Sequence, residues 1–209
     1  MMMIQLALDR LTIEEALKLG ELTEEHVDWL EVGTSLIKEY GMDSVRRMKE
    51  RFPDKTLLAD MKTIDNAKYE FELCFAAGAD VVTVMGVSPL ATVETCLQTA
   101  QSLGKKVMID LLNTTPEQQQ RLFQLASQDV YYCEHVSKDE QEVSGKRNDL
   151  AVASYAPDVK VAVAGGISMD SLPGLVVKQP EVVIIGSAIT KAADPQGAAK
   201  AFKEGLQGG

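Results

Sequence analysis

Eight apolar segments recur along the 209-residue chain at intervals of roughly 20–30 residues, and that spacing restricts the fold more than any other feature. They are IQLALD (4–9), WLEVGT (29–34), TLLADMK (56–62), DVVTVMG (80–86), KVMIDLL (106–112), VYYCEHV (130–136), VKVAVAGGI (159–167) and VVIIGSAIT (182–190). Each is nearly continuous in Val, Ile and Leu, as strands covered on both faces should be. Helical patterns fill the intervals. Thr12-Ile13-Glu14-Glu15 reads as a capping box. Ser88-Pro89, Thr115-Pro116 and Asp194-Pro195 each put a capping residue before a proline at the first helical position. Gly78 and Gly104 read as helix stops, the second after a buried stripe of Leu90, Val93, Leu97 and Ala100. Strand and helix alternating eight times predict an α/β fold, a closed (β/α)8 TIM barrel forming a single domain over residues 1–209. The rival is an open doubly wound sheet. No strand is followed by G-x-G-x-x-G with an acidic residue at the proper distance, which argues against dinucleotide binding.

Charge and cysteine usage exclude several function classes. A formal net charge of -10 and a pI near 4.7 repel nucleic acid and anionic membrane, and no basic run offsets them. An anionic ligand therefore needs a local site that overcomes the global field. Cys74, Cys96 and Cys133 are odd in number and widely spaced, so they read as core thiols rather than as disulfides or zinc ligands. The N-terminal MMMIQLALDR lacks the basic segment of a signal peptide, and no apolar run reaches the ~18 residues of a membrane span. The expected location is cytoplasmic.

The strand ends carry the chemistry. The C-terminal ends of barrel strands open on one face, where such enzymes act. Asp9 closes the first segment, Glu31 lies in the second, Asp60 and Lys62 in the third, Asp110 in the fifth and His135 in the sixth. Side chains two apart in a strand share a face, so Asp60 and Lys62 are expected to point together into the barrel mouth. Asp9, Glu31, Asp60 and Asp110 crowded there raise one another's pKa values and call for a positive group. Lys62 is one candidate. A divalent cation held by oxygen ligands, Mg2+ by preference, is another. The alternative is an ion-pair network that only closes the barrel end. His135, beside Tyr131-Tyr132, is either a satisfied core histidine or a proton-handling group, whereas His26 falls in a helical stretch and reads as structural or exposed.

Glycines end the last two strands. Gly165-Gly166 and Gly186-Ser187 offer backbone N–H groups able to cradle a phosphate, at the place where barrels often hold one. That arrangement reconciles an acidic chain with an anionic substrate.

QLALD (5–9), EVGT (31–34), ADMKTID (59–65), GAD (78–80), VTVMG (82–86), AGGI (164–167) and GSAIT (186–190) together resemble the orotidine 5'-monophosphate decarboxylase superfamily. Within it they resemble the branch of 3-hexulose-6-phosphate synthases and 3-keto-L-gulonate-6-phosphate decarboxylases. The likeness runs essentially end to end, and the D-x-K-x-x-D element, Asp60 to Asp65, is its most specific part. It implies a homodimer with active sites at the subunit boundary. Asp65 would enter the partner's site while Asp60 and Lys62 act in their own. Glu31 and Asp60 would bind Mg2+, Asp9 and Asp110 would contact the substrate, and His135 would move a proton. Gly165, Gly166, Gly186 and Ser187 match the phosphate loops; the decarboxylase has arginine at the position of Ser187.

The two activities of the branch separate on other residues. VMIDLLN (107–113) and ADMKTIDNAKYE (59–70) resemble the synthase pattern, with Asp110 where the decarboxylase has glutamate. Lys138, three residues after His135, stands where the decarboxylase has arginine and the synthase tyrosine. Asn66-Ala67-Lys68 departs from the synthase pattern too. The resemblance thus implies addition of formaldehyde to D-ribulose 5-phosphate, a phosphorylated keto sugar, through an enediolate. Decarboxylation of 3-keto-L-gulonate 6-phosphate and non-catalytic sugar-phosphate binding are the alternatives.

Overall fold

The computed structural model describes residues 2–145 and 158–207. Eight parallel strands close into a barrel in chain order, the first pairing with both the second and the eighth. They are β1 (Met3–Leu8), β2 (Trp29–Val32), β3 (Thr56–Thr63), β4 (Val81–Met85), β5 (Lys106–Asp110), β6 (Val130–His135), β7 (Lys160–Ala164) and β8 (Val182–Ile185). The described helices are α1 (Ile13–Thr23), α2 (Thr34–Tyr40), α3 (Met42–Arg51), α4 (Ala67–Ala76), α5 (Leu90–Ser102), α6 (Pro116–Phe123), α7 (Lys138–Ser144), α8 (Leu172–Lys178), α9 (Ser187–Thr190) and α10 (Pro195–Gln207). The TIM barrel expected from the spacing is the fold observed. None of these helices is long and apolar enough to cross a membrane.

Strand alternation sorts the apolar residues into two cores. Ile4, Leu6, Leu8, Leu30, Val32, Leu57, Val82, Ile109, Tyr132, Val163 and Ile185 face outward and pack under the helices. Trp29, Leu58, Val81, Met108, Tyr131, Ala162 and Val182 face inward and fill the barrel interior, with Trp29 and Tyr131 edge to face at 5.1 Å. The continuous apolar runs in the sequence thus reflect burial on both sides. The N-terminal end of the barrel is tied by Asp80, whose carboxylate accepts from Lys49 Nζ and Lys105 Nζ, each at 2.8 Å. The end of the barrel opposite the charged strand termini thus carries an ion-pair network of its own.

Local signals were accurate where side chain and backbone act alone. Thr12 and Thr115 form capping boxes with Glu15 and Gln118, Pro116 opens α6, and Gly78 and Gly104 take positive φ after their helices. Two expectations need correction. Pro89 itself is the N-cap of α5, because Ser88 Oγ turns instead to the Thr63 carbonyl. His26 lies in the turn after α1, not in the helix. The last apolar segment leaves its strand at the glycine, as expected: β8 ends before Gly186 and residues 187–190 coil into α9.

Candidate active site

The inward side chains at the C-terminal strand ends line a cavity of about 440 Å³. Asp9, Glu31, Asp60, Lys62, Asp110, His135, Gly165, Gly166, Gly186 and Ser187 all border it. Asp65 does not: it is exposed, with Oδ1 accepting from the Asn66 N–H. Asp9 borders the cavity at its exposed rim, where Oδ1 accepts from the Ser35 N–H at 2.9 Å.

Lys62 reaches the site by a device that simple alternation does not contain. The β3–β4 ladder shifts register between Ala59 and Thr63, and Lys62 sits at φ 52. A non-glycine residue in that left-handed region costs about 1–3 kcal/mol, and such irregularities cluster at working sites. The Lys62 N–H, freed from the ladder, donates to Thr83 Oγ1 at 2.8 Å. Its ammonium lies 2.9 Å from Asp60 Oδ2 and 3.1 Å from Asp110 Oδ2. Asp60 and Lys62 do share the mouth, but through a bulge rather than a regular two-residue repeat.

Each carboxylate has a different environment. Asp60 accepts from Thr34 Oγ1 at 2.6 Å and from Thr83 Oγ1 at 2.9 Å. Asp110, only 3% exposed, accepts from the Leu112 N–H at 2.9 Å and faces His135 Nδ1 at 2.8 Å. Burial alone would raise the Asp110 pKa, but His135 and Lys62 outweigh it and hold the carboxyl down at about 2. Burial would lower the pKa of Lys62, and the two aspartates reverse that. The same balance raises His135, with Asp110 as the opposing partner. Because Nδ1 is committed to Asp110, Nε2 is the nitrogen left for a substrate. Burial, then repulsion from Asp60, pushes the Glu31 carboxyl up to about 7.

Glu31 and Asp60 offer an all-oxygen donor set suited to a hard divalent cation. Among the described residues no cluster of three or more His, Cys, Asp or Glu side chains could hold a metal. The fit to Mg2+ therefore rests on two mutually repelling, buried carboxylates and on the nearby amide of Gln5, whose Oε1 is buried with no hydrogen-bond partner among the described residues.

Sequence reasoning missed Gln5, Thr34 and Thr83, which hold the charged groups, and Arg10 and Lys191, which line the cavity. Gln5 had a signal: a polar residue inside an otherwise apolar strand. The phosphate end has its glycine at a tight approach. Gly165 adopts φ 99, and a Cβ there would collide with the Val136 carbonyl. Arg10 and Lys138 both approach Glu142, while Lys191 has no carboxylate partner among the described residues.

The site is thus the mouth of a closed barrel in which a lysine–aspartate–histidine cluster and two glycine turns border one cavity. The chain belongs to the orotidine 5'-phosphate decarboxylase / HUMPS family, whose profile matches residues 2–202, and within it to the 3-hexulose-6-phosphate synthase and 3-keto-L-gulonate-6-phosphate decarboxylase branch. It is 34% identical over 207 residues to the 3-hexulose-6-phosphate synthase of Bacillus subtilis (strain 168), covering 97% of this chain and 98% of that one. The crystal structure of 3-hexulose-6-phosphate synthase from Salmonella typhimurium superposes with a TM-score of 0.93 at 35% identity, covering 99% of each chain. The 3-keto-L-gulonate-6-phosphate decarboxylase of Vibrio cholerae O1 biovar El Tor str. N16961 gives a TM-score of 0.85 at 25% identity, over 99% of this chain and 97% of that one.

Proposed function

We propose that this chain is an aldehyde-lyase that adds formaldehyde to D-ribulose 5-phosphate, forming D-arabino-hex-3-ulose 6-phosphate. One observation carries the reading: Lys62 and His135 converge on the same Asp110 carboxylate inside a cavity that also reaches both glycine turns. The synthases among its relatives, 33–36% identical over nearly the whole chain, support the choice of reaction.

The chain's own groups divide the work. His135 Nε2 takes the C1 proton of the keto sugar, with Asp110 stabilising the imidazolium that forms. Lys62 places a fixed positive charge beside the oxygens on which negative charge develops. The enediolate carbon then attacks the formaldehyde carbon, forming the new C–C bond, and the resulting alkoxide takes up a proton. Bound Mg2+, held by Glu31 and Asp60, would supply further positive charge to the substrate oxygens. Asp9 orients the substrate at the rim. Backbone N–H groups of Gly165, Gly166, Gly186 and Ser187 hold the phosphate, whose binding energy positions the reacting end.

A homodimer accompanies this reading. Ile64 and Tyr69 lie on either side of the exposed Asp65 in sequence and are themselves 57% and 62% exposed, with Leu73, on the same helix as Tyr69, also exposed. Such apolar exposure beside a carboxylate supports a self-association face through which Asp65 enters the neighbouring site.

Purified protein with Mg2+ should consume formaldehyde only when ribulose 5-phosphate is present, and chelation should abolish that turnover. Release of carbon dioxide from 3-keto-L-gulonate 6-phosphate in preference would assign the sister reaction instead. Lys191, which lines the cavity without a carboxylate partner among the described residues, is read as the phosphate counter-charge. Lys191→Ala is expected to raise KM for ribulose 5-phosphate by about tenfold with kcat little changed, since the lost contact is made equally before and during the reaction. An unchanged KM in steady-state assays at low salt would remove Lys191 from the phosphate site.

A further inference from the structure

Gln5 is fully buried on the barrel interior, and no step above uses it. Its ladder neighbours are Trp29 and Ile184, both apolar, so its amide lies in a layer otherwise suited to hydrocarbon. Glu31 pairs with Ala7, one layer nearer the mouth. Gln5 Nε2 donates to Glu31 Oε2 at 2.5 Å. Gln5 Oε1 is buried with no hydrogen-bond partner among the described residues. An unpaired buried carbonyl lowers stability, and a leucine of similar size would carry no such penalty. The amide therefore has a use that packing does not explain, and its single hydrogen bond points to what that use is.

We propose that Gln5 is a positioning residue for the cation site. Its N–H fixes the Glu31 carboxylate in the orientation from which, with Asp60, it serves a divalent cation. Without that bond Glu31 is free to turn away from Asp60, which repels it. The inference rests on the reading of Glu31 and Asp60 as cation ligands, and it concerns binding rather than turnover.

The test uses Mn2+ alone as the probe, with the free ion followed by electron paramagnetic resonance, on the full chain and on Gln5→Leu, Gln5→Met, Glu31→Gln and Gln5→Leu/Glu31→Gln. Both Gln5 variants are expected to bind Mn2+ about 10–100-fold more weakly, the usual cost of losing a partner that orients a ligand. Their cation-free melting temperature should be unchanged or higher. In the Glu31→Gln background, Gln5→Leu should add no further loss, because the residue acts through Glu31. Unchanged Mn2+ affinity in the Gln5 variants overturns the inference, and so does a lowered melting temperature with affinity intact, which marks a packing role. Full loss persisting in the Glu31→Gln background overturns it as well, since Gln5 would then act on the cation directly. A parent protein that binds no Mn2+ removes the cation site itself, whereas a parent that binds and variants that bind equally remove only the role of Gln5.

Discussion

Replacing Lys62 with alanine is expected to lower kcat for the condensation of formaldehyde with ribulose 5-phosphate by about 10²–10³-fold, the usual effect of removing a preorganised group that stabilises developing negative charge. The ammonium is fixed by unusual means: a register shift, a left-handed backbone at φ 52, and contacts to Asp60 and Asp110. Its raised pKa keeps it charged through the working pH range, so it should contribute no limb to a pH–rate profile. The protein should still fold. Asp60 keeps Thr34 and Thr83, and Asp110 keeps His135 and the Leu112 N–H. Lys62→Met, which preserves most of the volume, should lose activity to the same extent with less loss of melting temperature. Turnover of Lys62→Ala within about tenfold of the parent would falsify the catalytic role, because removal of such a donor normally costs far more.

Removing the divalent cation is expected to abolish turnover and to expose a pH-dependent weakness that Glu31 causes. Folding raises the Glu31 pKa from 4.5 to about 7. Between those values the folded state binds more protons than the unfolded state, so stability falls as pH rises, and the full penalty is present above about pH 7. At 1.36 kcal/mol per pKa unit, that penalty is about 3 kcal/mol. Cation-free protein should therefore melt at lower temperature at pH 8 than at pH 5.5, as far as this group is concerned. Mg2+ should raise the melting temperature at pH 8 and do little at pH 5.5, where Glu31 is protonated. Glu31→Gln should remove both effects and, with them, the cation-dependent activity. Calorimetry at the two pH values, with and without Mg2+, checks each part. An equal Mg2+ shift at both pH values would separate the cation from Glu31.

Much of this was legible in the sequence because barrel strands report their own burial. Continuous apolar runs, a capping residue before Pro116 and glycines after α4 and α5 are local decisions, made by side-chain size, backbone freedom and nearby hydrogen bonds. The charged strand ends were equally visible, since ionisable groups inside apolar segments are expensive unless they are used. Legibility ended where a residue's role depends on a neighbour far along the chain. Lys62 looked like a regular strand residue because the bulge that turns it inward is defined against β4, not by β3 alone. Gln5 passed unnoticed because its meaning lies in Glu31, 26 residues away.

The order of the strands, the chemical types at their ends and the glycines that favour an anion were thus properties of the sequence itself, because periodicity and residue chemistry are local. The tertiary structure alone decided which charges touch. It set Asp110 between Lys62 and His135, left Asp65 outside the cavity and buried Glu31 beside Asp60. Those outcomes depend on barrel closure and strand register, which bring distant residues within a few ångströms and remove the water that would otherwise screen them.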